Sequence, residues 1–142
     1  MTDAISHRGP DGEGHYTDRY VGFGHRRLAI IDLSPAGHQP MISPSGRYVI
    51  AFNGEIYNHQ DLRIELAEHQ LVMADWKGHS DTETLLAGFE RWGVGATLAK
   101  TVGMFAIALW DMQQRTLHLA RDRFGEKPLY YFYENIINTI IE

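Results

Sequence analysis

The sequence predicts an α+β fold of antiparallel sheets with helices on the outside, and three features carry that expectation. Residues 47–52 read as a strand that is apolar on both faces, residues 59–69 and 80–92 as two consecutive helices, and residues 104–121 as a hairpin. A strand buried on both sides belongs between a second sheet and a helical layer. Strands followed by helices followed by strands, rather than strict alternation, favour antiparallel pairing.

At 142 residues the chain can bury one core, so a single domain is expected. Its 44% apolar and 22% charged residues are the balance of an ordinary globular protein. A formal net charge of -5 with interspersed signs gives no basic stripe, which excludes nucleic acid and anionic membrane surfaces as expected partners. No window has the length of a membrane-spanning helix and the opening MTDAISHRGPDGEG has no apolar signal core, so the expected location is cytoplasmic. The absence of cysteine removes disulfides, thiolate metal sites and a thiol nucleophile. The eight histidines are scattered without paired ligand spacing, and no metal site is expected.

Along the chain, residues 7–14 (HRGPDGEG) are dense in Gly, Pro and Asp and read as an irregular loop. Short strands are expected at 21–24 and at 28–32 (LAIID), followed by a turn-rich stretch, SPAGHQPMISPSG. In the strand at 47–52, Tyr48, Ile50 and Phe52 share one face and Val49 and Ala51 the other. It runs into Asn53-Gly54, a strong tight-turn signal. The helix at 59–69 has Asn58 placed to cap it and Leu62 and Leu66 on its inner face. In the next helix Ser80 and Glu83 have capping-box spacing, and Leu85, Leu86, Phe89 and Trp92 form a stripe that stops at Gly93. A helical turn at 96–100 leads into MFAIALWD, a loop at 112–115 and the return strand TLHLAR. The apolar tail YFYENIINTIIE ends without a turn or linker, as though the chain continued into a larger protein.

Three places combine polar groups with tight backbone. In Gly24-His25-Arg26-Arg27 an arginine at the mouth of a strand can hold a carboxylate with two hydrogen bonds, or the pair can be an exposed strand end. In Asn53-Gly54-Glu55 a side-chain amide and a backbone N–H can form an oxyanion hole with Glu55 beside them to accept from an ammonium, or the segment can be a plain hairpin turn. Asp81, in the first turn of its helix, can serve a ligand or only the helix dipole.

Taken in order, HRGPDGEGHY, GHRRLAIIDLS, GHQPM, FNGEIYN, GHSDTETLL, GMFAIALWD and RDRFGEKPLYY resemble the class II glutamine amidotransferase (glutaminase) domain of glutamine-hydrolysing asparagine synthetases, over about residues 7–131. The resemblance implies a four-layer αββα sandwich of the N-terminal-nucleophile hydrolase type. It implies hydrolysis of glutamine, with ammonia passed to a synthetase domain that amidates aspartate using ATP. Carried over by position, Arg27 resembles the residue for the glutamine α-carboxylate, Asn53 and Gly54 the oxyanion-hole pair, and Glu55 and Asp81 the groups for the α-ammonium. The implied partners are glutamine and the synthetase domain, with a homodimer left open. No cofactor is implied for these residues, since ATP and magnesium belong to the synthetase domain.

One departure stands out. The family's nucleophile is an N-terminal cysteine whose α-amine acts as base, on a strand upstream of the HRGPD segment, and here Met1 lies a few residues before His7. The expectation is a partial type-2 glutamine amidotransferase domain over residues 1–142, incomplete at both ends, without that strand or the synthetase domain, and inactive as a glutaminase. Thr2 lies too close to the HRGPD loop to take the cysteine's place. The alternatives are the glutaminase domain of another class II amidotransferase, and a non-catalytic remnant or interaction module.

Overall fold

The computed structural model describes residues 2–28, 37–68 and 76–132. After a 3-10 segment at Thr2–Arg8 come strands β1 (Gly12–Thr17), β2 (Gly22–Arg27), β3 (Met41–Ile42) and β4 (Tyr48–Ile56). Helices α1 (His59–Glu68), α2 (Asp81–Trp92) and α3 (Val94–Lys100) follow, then β5 (Gly103–Asp111) and β6 (Thr116–Arg121). All pairings between named strands are antiparallel: β1 with β2 in one sheet, and β3-β4-β5-β6 in the other. The chain is therefore the α+β protein of antiparallel sheets that its pattern predicts.

The double-sided apolar patterns of β4 and β5 build two cores. On one face Tyr48, Ile50, Phe52, Phe105, Ile107 and Leu109 pack against Leu62 of α1 and Leu85, Leu86 and Phe89 of α2. On the other, Val49 and Trp110 meet Phe23 of β2, with Tyr16, Val21, Ala51 and Ala108 around them. The order of layers is helices, four-stranded sheet, two-stranded sheet, so the described residues supply three layers of an αββα arrangement.

Several local expectations are corrected. Residues 7–14 are not one loop: His7 and Arg8 end the 3-10 segment, and Gly12-Glu13-Gly14 open β1. A side chain at Gly14 would collide with the Gln39 carbonyl, so glycine here marks close packing and not a turn. The strand expected at 21–24 extends through Arg27 because β1 pairs with it up to Gly12↔Arg27. Of the strand expected at 28–32, Leu28 lies past the end of β2 and the rest falls outside the described residues. Within the turn-rich stretch, Met41–Ile42 pairs with Val49 and Ile50.

Asn53-Gly54 is not a turn. Both residues continue β4, opposite Ala106 and Phe105. A Cβ on Gly54 would strike Met104 O, so the glycine permits close approach of two strands. The Asn58 side chain does not cap α1, although its carbonyl accepts the first helical bond from Leu62 N–H at 3.1 Å. Its amide instead donates to Lys100 O (3.0 Å) and accepts from Val102 N–H (2.9 Å), tying α1 to the start of β5. Ser80 caps α2 by accepting from Thr82 N–H at 3.1 Å, and Glu83 reaches back past it to the N–H groups of Lys77 (2.8 Å) and Gly78 (3.2 Å). His69 and the tail from 133 onward lie outside the described residues.

Phe89, 1% exposed and edge-on to Tyr48 at 6.1 Å, sits where α2 meets β4. Phe89→Ala is expected to lower unfolding free energy by about 3–5 kcal/mol, whereas Leu117→Ala on the exposed side of β6 stays below about 1 kcal/mol. Urea denaturation of both variants checks this, and equal losses would contradict the assignment of the main core to the helix-facing side.

Candidate functional site

β3 accompanies β4 only as far as Ile50, so among the described residues no strand covers the edge of the last third of β4. Asn53 and Glu55 share the face of Val49 and Ala51, the side turned toward the small sheet. β2 ends there at Arg27, and the N-terminus of α2 brings Asp81 from the opposite side. A cavity of about 480 Å³ lies between them, a size suited to a small molecule.

Arg27, Asn53, Gly54, Glu55 and Asp81 all line this cavity. They come from three elements, β2, β4 and α2. Of the adjacent arginines, Arg26 is tied to Asp3 at 2.8 Å and to Glu13 at 2.6 Å, and donates to Thr2 O. Thr2 itself is buried, with its hydroxyl 2.9 Å from His15 Nε2.

The polar groups are unequally solvated. Asp81 is 5% exposed, and its Oδ2 accepts from Ile56 N–H at 2.9 Å. Burial raises its carboxyl above the ordinary value, against the pull of the Ile56 and Thr82 N–H groups. An incoming ammonium would relieve that penalty. His25 is pushed down by burial and further by His38 and Arg27, against a hydrogen bond with the Phe52 backbone, which keeps the ring neutral at pH 7.

Sequence reasoning passed over three residues here. Gln39, 8% exposed, accepts from Phe52 N–H through Oε1 at 2.7 Å and reaches Thr82 Oγ1 with Nε2 at 3.4 Å. Lys127 lines the cavity. Asp122 holds the loop that carries it: Oδ1 accepts from Phe124 and Glu126 N–H at 3.0 and 2.9 Å, and Oδ2 from Phe105 and Lys127 N–H at 3.2 and 3.0 Å. GHQPM and RDRFGEKPLYY contained them, but an amide or acid that bonds to backbone has no spacing signature. Among the described residues no cluster of three or more His, Asp or Glu is arranged to hold a metal, and no helix is long and apolar enough to cross a membrane.

Two outcomes follow from these carboxylates. Because Asp81 favours its protonated form in the fold, its ionisation costs stability as pH rises from the ordinary 3.8 through the raised native value. Asp81→Asn keeps an acceptor for Ile56 and is expected to raise the melting temperature at neutral pH, with the difference vanishing in acid; a lower melting temperature at pH 7 contradicts this. Asp122 has the opposite sign. Backbone donors, Lys127 foremost, hold its carboxyl at about 2, so its contribution is complete above 3.8 and fades as pH falls through about 2. In Asp122→Asn the amide NH₂ faces two N–H donors, and the amides of Phe124, Glu126 and Lys127 should exchange about tenfold faster by NMR; unchanged exchange would remove Asp122 as the anchor of this loop.

Comparison with known proteins adds the lineage. The chain is 44% identical over 131 residues to asparagine synthetase [glutamine-hydrolyzing] 2 of Bacillus subtilis, covering 92% of this chain and 17% of that protein. It is 46% identical over 131 residues to asparagine synthetase [glutamine-hydrolyzing] 1 of the same organism, covering 92% and 20%. It is 40% identical over 131 residues to amidase chry2 of Gibberella zeae, covering 91% and 19%. The chain thus spans about a fifth of the length of these relatives. Since the glutamine amidotransferase domain family matches it over residues 1–140, nearly its whole length, the chain belongs to that family.

Proposed function

We propose that the cavity is the glutamine site of a glutamine-hydrolysing asparagine synthetase. Arg27 takes the α-carboxylate, Glu55 and Asp81 take the α-ammonium, and Asn53 and Gly54 donate to the side-chain carbonyl oxygen. The observation that carries this reading is the meeting of these five residues, from three elements, around one cavity. A zwitterion needs one cation and one or two anions at fixed separation, and a γ-carboxamide under attack needs neutral donors beside its oxygen.

Hydrolysis by a thiol begins with attack of sulfur on the side-chain carboxamide carbon, Cδ, which places negative charge on the oxygen between Asn53 and Gly54. The C–N bond then breaks, ammonia leaves with a transferred proton, and water releases glutamate from the thioester. These 142 residues contain no cysteine, so the polypeptide alone is proposed to bind glutamine without cleaving it. In the proposed whole protein, which works in the cytoplasm, the ammonia passes to a synthetase domain that amidates aspartate with ATP and magnesium. The second reading is the glutaminase domain of another class II amidotransferase; two relatives, at 40% and 42% identity, carry the name amidase and not asparagine synthetase.

Calorimetric titration tests the binding half. L-Glutamine should bind the chain, and Arg27→Ala should weaken it about thirtyfold or more, as loss of one partner of a desolvated charge pair does. Failure of the unmodified chain to bind glutamine, or equal binding by the variant, overturns the reading. Ammonia release that scales with the purified 142-residue chain and disappears in Arg27→Ala overturns the non-cleaving part alone.

A further inference from the structure

Antiparallel strands direct the N–H groups of alternate residues to the same side. On β4 the even-numbered residues turn away from β5. Tyr48 exchanges bonds with Ser43, donating to its hydroxyl at 3.1 Å and accepting from its N–H at 2.9 Å. Phe52 N–H goes to Gln39 Oε1 and Ile56 N–H to Asp81 Oδ2. Around the strand the odd-numbered residues 47 and 57 bond toward β5, through Met112 N–H to Arg47 O and Tyr57 N–H to Val102 O. β5 gives the same parity: Phe105, opposite Gly54, uses its N–H and carbonyl on Asp122, on the β6 side. The Gly54 N–H therefore lies on the uncovered edge of β4, between two N–H groups that are already taken.

We infer that Gln39 and Asp81 act in place of a neighbouring strand, capping the N–H groups on either side of Gly54 and holding that one N–H unshared for a ligand oxygen. Gln39 is thereby a positioning residue for the Gly54 donor. This rests on the glutamine reading of the same cavity.

A real strand on this edge would pair Gly54 as well and remove the donor. A bare edge would leave the Phe52 and Ile56 N–H groups to water, and the strand end free to move. Two side chains, each capping an N–H two residues from Gly54, avoid both. Glutamine suits the Phe52 position because a neutral amide avoids the desolvation of a buried carboxylate, and its Nε2 ties the same edge to Thr82, next to Asp81. The oxyanion donor and the ammonium acceptor are thus held by one short network.

Amide exchange by NMR on the ligand-free chain tests the geometry. Phe52 and Ile56 should be protected, with Gly54 exchanging at least about tenfold faster. In Gln39→Met, Phe52 should join Gly54 while Ile56 stays slow; in Gln39→Glu, which keeps an acceptor, Phe52 should remain slow. Equal protection of the three amides in the unmodified chain, or a Phe52 amide indifferent to Gln39→Met, overturns the inference whether or not glutamine binds. On titration, the Gly54 amide should shift with L-glutamine and not with L-norvaline, which has no side-chain carbonyl. Gln39→Met should bind glutamine with the Gly54 shift at least halved, and an undiminished shift overturns the positioning role. Absence of glutamine binding by the unmodified chain overturns the proposed function instead, and with it Gly54 as donor.

Discussion

The ladder between β4 and β5 is the constraint on which the rest of the structure depends. Nine consecutive pairs, from Tyr48↔Asp111 to Ile56↔Gly103, hold two strands whose side chains are apolar on both faces over most of their length. Because alternate side chains point to opposite faces, one register decides both cores at once: a slip of one residue would exchange Ile50 and Leu109 with Val49 and Trp110. The register also decides the site. It places Asn53 and Glu55 on the face toward the small sheet, and turns the N–H of Gly54 away from β5.

At the end of this ladder the chain gives up local stability. Asp81 is buried with a raised pKa, Gln39 buries a side-chain amide, and among the described residues a strand edge is left without a strand. Each feature is unfavourable in an ordinary fold, and their concentration in one cavity is what a binding site requires. The costs are offset nearby by dense hydrogen bonding. Asp122 satisfies four N–H groups and fastens the loop of Lys127 to β5. Arg63 bonds to Gly78 O, Ser80 O and Thr84 Oγ1 while lying over Trp76, which steadies the approach to Asp81.

What the sequence disclosed, and what it hid, follows from the range of each interaction. The helix of Leu85, Leu86 and Phe89 and the strand of Phe105, Ile107 and Leu109 were legible because burial imposes a period on the chain. Asn53-Gly54 was misread as a turn because the local preference of the pair was overridden by pairing with a strand about fifty residues away. The cap expected from Asn58 was lost in the same way, to Lys100 and Val102. Gln39 was illegible for a further reason: its partners are backbone groups, which every residue carries, so no pattern of side chains records them. Arg27, Glu55 and Asp81 were proposed from ordered motifs, and their convergence on one cavity depends on contacts that no single stretch of sequence contains.

The division of labour in the proposed site has a physical logic. Charged side chains of Arg27, Glu55 and Asp81 would meet groups that carry charge before, during and after reaction, so they bind all states about equally and set recognition. A backbone N–H has no net charge to desolvate and is fixed by the ladder, so it is strongest for an oxygen that becomes negative only in the transition state. Recognition can therefore tolerate side chains with some freedom, whereas the donor cannot tolerate movement. On the proposed reading, that difference accounts for charges on three separate elements lining the cavity, while the Gly54 N–H is bracketed by two hydrogen bonds on its own strand.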